Sequence, residues 1–149
     1  MAGATIAVAS DHAGFDLKEI LKRDLQSAGY DVLDLGTNST TSVDYPDFGR
    51  AMGEAITSGK AGRGVLVCGS GIGISIAANR NPNVRAALAH DVVSARLSRE
   101  HNDANVVAFG QRLIDTEVAR EALKIFLNTA FEGGRHANRV AKLSKEITQ

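Results

Sequence analysis

Apolar residues recur along this chain in two alternating rhythms. Short apolar runs at Thr5–Ala9, Asp31–Leu35, Gly64–Cys68, Val84–Ala89 and Asn105–Phe109 read as strands, each closed by glycine or a polar cluster. Between them the spacing turns helical. Phe15, Leu17, Ile20, Leu21 and Leu25 predict a helix from Phe15 to Ala28, stopped by Gly29. Pro46 starts a second, with Phe48, Met52, Ala55 and Ile56 inward and Gly59 as its stop. A third runs from Ile72 to Asn79, and Asp91 caps a fourth that ends near Glu100. Asp115 caps a fifth, from about Thr116 to Ala130. Beyond Gly133-Gly134 a last amphipathic helix runs from about His136 to Ile147.

Strands that are nearly all apolar and alternate with helices imply a parallel sheet covered on both faces. The expected fold class is α/β: one doubly wound, Rossmann-like domain over residues 1–149 with a five-stranded parallel sheet. Right-handed crossovers bring every strand's carboxyl end to one edge, where ligands bind near the switch in strand order. The residues expected there are Ser10-Asp11-His12, Cys68 to Gly73, His90-Asp91 and Gly110-Gln111-Arg112.

Composition narrows the options. Seventeen basic and seventeen acidic residues cancel, so no bulk field recruits nucleic acid or an anionic membrane, and anion recognition must be local. No apolar run approaches the ~20 residues of a spanning helix. The single cysteine excludes an intrachain disulfide, and with no signal-like start it favours a reducing, cytoplasmic home. The scattered histidines have no zinc-ligand spacing, so no metal is expected.

That cysteine, Cys68, stands at the mouth of Gly69-Ser70-Gly71-Ile72-Gly73. The glycines match neither the dinucleotide fingerprint nor a Walker loop, and a tight strand-to-helix turn would explain them. Alternatively, their backbone N–H groups and the helix start bind developing negative charge. A buried free cysteine is usually a small hydrophobe, but here it faces the positive end of a helix, a setting that favours a thiolate base or nucleophile. Asp11-His12 follows the first strand on the same edge. His101, at the end of the fourth helix, suits helix-dipole stabilisation or catalysis equally. Arg135 and Arg139 share a helix face beside a Gly-Gly hinge, either as a solvated face or as a phosphate clamp.

Taken together, Ser10-Asp-His-Ala-Gly14, Asp44-Tyr-Pro46, Cys68 to Asn79, Leu97 to Asp103, Ala108-Phe-Gly110 and Glu132-Gly-Gly-Arg-His136 resemble the type-B ribose-5-phosphate isomerase family, which includes the galactose-6-phosphate isomerase subunits. The resemblance spans nearly the whole chain. It implies aldose–ketose isomerisation of a phosphorylated sugar, without metal or cofactor. It makes Cys68 the base that moves a proton between C2 and C1 through a cis-enediolate, and the Gly69–Gly73 amides the stabilisers of that enediolate. His101 becomes the acid that opens the sugar ring, and Asn102, Asp11 and His12 become sugar contacts. Arg112, Arg135 and Arg139 become phosphate ligands. It further implies a homodimer with shared sites, the C-terminal helix reaching the partner, and a tetramer as a further option. One family branch carries a glutamate base where this chain has Ile74, so Cys68 has no stand-in; Ser70 replaces a common threonine. The same chemistry on a six-carbon sugar phosphate, and a non-catalytic phosphometabolite module, are the alternatives.

Overall fold

The structure, a computed structural model, describes residues 4–145. Its strands are β1 (Thr5–Ser10), β2 (Asp31–Asp34), β3 (Arg63–Cys68), β4 (Ala86–Leu88) and β5 (Val106–Gly110). They form one parallel sheet in the order β2-β1-β3-β5-β4. The helices are α1 (Phe15–Ser27), α2 (Tyr45–Thr57), α3 (Ile72–Asn79), α4 (Val92–Glu100), α5 (Thr116–Asn128) and α6 (Arg135–Leu143), with a single 3-10 turn at His12–Gly14. No helix among the described residues is long and apolar enough to cross a membrane.

The sheet is doubly wound because its strands carry apolar side chains to both faces. Val8, Val65, Val67, Val107 and Phe109 point to one side, where they meet Leu17, Leu21 and Leu25 of α1, Ala95 of α4 and Leu123 and Phe126 of α5. Ala7, Ala9, Leu66, Val106 and Ala108 point to the other, onto Met52 and Ala55 of α2 and Ile74 and Ala78 of α3. The chain leaves β1 towards one edge and β3 towards the other, so the switch point lies between them. The loops after β1 and β3 therefore open side by side.

Expected boundaries shift where side chains take over backbone bonds. β4 is only Ala86–Leu88, and the Asn79 side chain covers the outer side of its first residue, donating to the Ala86 carbonyl (2.9 Å) and accepting from its N–H (2.7 Å). The Arg85 N–H is taken by the Asn105 side chain (2.8 Å). The outer side of this edge strand is thus blunted. α5 stops at Asn128, since Thr129 is extended (φ −103°, ψ 125°). α6 starts at Arg135 and ends at Leu143, capped at Ser144, four residues short of the expected Ile147, which lies outside the described residues. Asp91 and Asp115 cap α4 and α5 as the sequence predicts.

One strut was invisible in the sequence pattern. Lys18 of α1 is completely buried, and its ammonium donates to Asp34 Oδ1 (2.8 Å) and to the Thr37 carbonyl (2.8 Å). Lys22 donates to Asp34 Oδ2 (2.9 Å) and the Gly36 N–H to Oδ1 (2.9 Å). Gly36 and Thr37 in turn exchange backbone bonds with Ser10 (2.8 and 2.9 Å). The strut therefore fixes the segment beside the end of β1. Burial raises the cost of ionising Asp34, but hydrogen bonds from Lys18, Lys22 and Gly36 outweigh it and hold its pKa below the ordinary carboxylate value.

Asp34→Asn removes the nearer carboxylate from the buried Lys18 ammonium, leaving Glu19 at 3.5 Å, and is expected to cost on the order of 3 kcal/mol in denaturant unfolding. Because the folded pKa is depressed, this stabilisation is present above the pKa of the unfolded carboxylate and disappears as pH falls through the folded value. The acid-side slope should flatten in the variant.

Candidate active site

Cys68 is the last residue of β3 and is only 4% exposed. Its sulfur accepts a hydrogen bond from the Gly71 N–H at 3.1 Å. That N–H reaches back because Gly71 is left-handed (φ 78°), a conformation glycine adopts without penalty, and it forms the N-cap of α3. The turn is also crowded. A Cβ on Gly71 would lie 2.5 Å from Leu88 Cδ1 and 2.8 Å from the Phe109 carbonyl carbon. A Cβ on Gly110 would lie 2.4 Å from the Ser70 carbonyl oxygen, and one on Gly73 2.6 Å from the Tyr45 ring. The Gly69–Gly73 spacing is thus explained by close backbone approach, and the same approach holds a sulfur at a helix start.

The loop after β5 locks onto this turn. The Gln111 N–H donates to the Cys68 carbonyl (2.9 Å) and the Arg112 N–H to the Gly69 carbonyl (3.0 Å). The Arg112 guanidinium lies over Gly69, 3.1 Å from where a Cβ would stand. The Gln111 side chain accepts from the Leu17 N–H at 2.9 Å and so ties α1 to the same edge. The Ile72 N–H donates to Ser70 Oγ (3.2 Å).

From β1, the Asp11 N–H donates to the Val67 carbonyl (3.3 Å), which aligns the first loop with the cysteine turn. The buried Asp11 carboxylate caps the following turn through the Gly14 N–H (3.1 Å). His12 Nδ1 accepts from the Val43 N–H (3.1 Å), which puts the neutral ring's proton on Nε2 and pins the polar loop beneath Tyr45. Asp11, His12, Gly69, Ser70, Gly71, Ile72, Gly73, Cys68 and Arg112 thus share one edge.

The remaining candidates do not join them. α4 runs against the strands, so His101 at its C-cap lies at the edge where strands begin. Four strand steps separate Gly64, aligned with Val106, from Cys68, aligned with Gly110, which is about 13 Å along the sheet. His101 stacks instead on His136 of α6, ring centroids 4.4 Å apart at 16°, and its Nε2 is 3.6 Å from Glu132. His101, Asn102, His136 and Arg139 line one open cavity of about 330 Å³. Arg135 opens α6 on the exposed surface. Burial, then the neighbouring His101 and Arg135, push the His136 pKa below the usual histidine value, against a weaker pull from Glu132. Sequence spacing gave no reason to pair His136 with His101, or Tyr45 with Gly73. Those contacts are made by packing between segments far apart in the chain.

The Ribose/Galactose Isomerase family matches residues 6–143. The solved structure of ribose-5-phosphate isomerase B from Clostridium thermocellum is 47% identical, with a TM-score of 0.93 over 94% of this chain and 95% of that one. Ribose-5-phosphate isomerase B of Escherichia coli is 42% identical over 93% of each chain. A D-erythrulose-4-phosphate isomerase of Pectobacterium atrosepticum is 41% identical over 93% of this chain and 92% of its own. The chain belongs to the ribose/galactose isomerase family and is a sugar phosphate isomerase.

Gly71→Ala is expected to destabilise the fold by about 2 kcal/mol or more, from left-handed strain and a displaced Leu88. Gly62→Ala, with open space around it, serves as the near-neutral control. Chemical denaturation of the two variants checks this.

Proposed function

We propose that this family member interconverts ribose 5-phosphate and ribulose 5-phosphate. The Cys68 sulfur removes the C2 proton of the open-chain aldose, and the C–H electron pair becomes the double bond of a cis-enediolate. The proton returns to C1 as the C2 carbonyl forms. The observation that carries this reading is the cysteine turn: a sulfur, an inward-pointing N–H and a helix start within four residues. The helix start favours negative charge on the enediolate oxygens. Asp11 and His12 contact the sugar hydroxyls, and Arg112 approaches from the same edge.

Ring opening falls to His101, assisted by Asn102 as a sugar contact, with Arg135 and Arg139 on the phosphate. These stand at the wrong edge of their own protomer, so the site is completed by a second copy. The surface supports such a homodimer. α3 and α4 flank the edge strand β4 from opposite faces, and they expose Ile72 (49%), Ile76 (60%), Val93 (51%) and Leu97 (37%). A two-fold axis across that edge sets one protomer's strand ends against the other's strand starts. It thereby brings Cys68 of one copy to His101 of the other.

Complementation tests the shared site. Cys68→Ala and His101→Asn should each lose roughly 10²–10⁴-fold in kcat while staying folded. Mixed by co-refolding in equal amounts, they should recover about a quarter of wild-type activity, since half the dimers then hold one intact site. No recovery would exclude sharing, and a fully active Cys68→Ala would exclude the base. The relative that acts on a four-carbon sugar makes chain length a separate question. Comparing kcat/KM on four-, five- and six-carbon aldose phosphates should favour ribose 5-phosphate, and a six-carbon optimum would overturn that assignment alone.

A further inference from the structure

The fold assembles something the four scattered histidines do not announce. His101, Glu132 and His136 each offer a ligand atom, and these atoms lie within 4.8 Å of one another, the one such group of three among the described residues. We infer that these three side chains form a binding site for a divalent transition ion of the zinc class. Two imidazoles and one carboxylate are the protein ligands of open, three-ligand zinc sites, in which solvent or substrate takes the fourth position. Donor atoms on a tetrahedral zinc stand about 3.4 Å apart, given bonds of about 2.1 Å. His101 Nε2 and Glu132 Oε1 are already 3.6 Å apart. The two imidazoles are stacked at 16°, so ligating one ion requires one ring to turn out of the stack and aim its nitrogen at the ion.

The backbone is already set for it. The Glu132 N–H donates to the Glu100 carbonyl at 3.1 Å, which holds the Glu132 backbone against the residue preceding His101. The His136 N–H donates to the Gly133 carbonyl at 3.0 Å, and both hinge glycines are left-handed (φ 69° and 55°), folding α6 back onto the end of α4. His136 is largely buried, whereas the Glu132 side chain is half-exposed, so an ion enters from the open cavity. Arg135 and Arg139 oppose a cation there, and the Glu132 carboxylate offsets part of that repulsion. The site is accordingly a reversible one, filled by softer, imidazole-seeking ions rather than by magnesium or calcium.

Occupancy has a consequence. An ion on His101 takes the nitrogen that ring opening needs, so bound zinc inhibits isomerisation of the cyclic sugar. That consequence rests on the proposed role of His101; the binding does not.

Chelator-treated full-length protein is titrated with Co²⁺, followed by its visible absorption, with Zn²⁺ as competitor. Wild type and Cys68→Ala should each bind one ion per chain. Glu132→Gln and His136→Gln should bind at least ten-fold more weakly at unchanged thermal midpoints; Glu132→Gln, on an exposed loop, keeps the test valid should His136→Gln unfold. Undiminished binding in both variants overturns the site. Loss in Cys68→Ala also overturns it, by assigning the ion to the thiol. In activity assays zinc should inhibit wild type, with EDTA restoring it. Binding without inhibition leaves the metal site standing and overturns the acid role of His101.

Discussion

Strand polarity governs this molecule. A parallel sheet has two chemically different edges, one where strands end beside helix starts and one where strands begin beside helix ends. Anion-stabilising N–H groups gather at the first. The second receives the carbonyl ends of the helices, where protonatable imidazoles are at home. Cys68 and its glycine turn occupy the first edge, and His101 and His136 occupy the second. About 13 Å of β3 separates the two edges.

The cysteine turn shows how little room such a device leaves. Gly71, Gly73 and Gly110 each sit where a methyl group would strike a neighbouring chain segment. The crowding has a chemical return. It draws the β5 loop close enough for the Gln111 and Arg112 N–H groups to donate to the Cys68 and Gly69 carbonyls, and it aims one N–H at the sulfur itself. On the far side of β1 the Lys18–Asp34 strut steadies the segment that meets Ser10, so both loops of the switch point rest on buried polar anchors. A buried ion pair of this kind adds little net stability, but losing either partner is costly, which suits a positioning role.

At the other edge the electrostatics are mixed on purpose of packing alone: two stacked imidazoles, one carboxylate and two arginines crowd the start of α6. Arginines suit phosphate and imidazoles suit transition ions, so the cluster offers two kinds of ligand chemistry. Which ligand prevails depends on what is offered. The histidine proposed for ring opening is also one of the three proposed metal ligands.

Strand runs, helix periods, the caps at Asp91 and Asp115 and the strand-end cluster around Cys68 were all legible in the sequence, because each is a local pattern of burial or capping read within one turn or strand. The family likeness was legible for the same reason, since its motifs are contiguous. What the sequence left open was every relation between distant segments: the burial of Lys18, the Asn79 clamp on the outer side of β4, the His101–His136 stack. Strand–helix alternation already implied that Cys68, at a strand end, and His101, at a crossover helix's end, lie at opposite edges. Only the tertiary structure decides that His101 stacks on His136, because packing between segments distant in the chain is a property of the assembled layers and not of any single element.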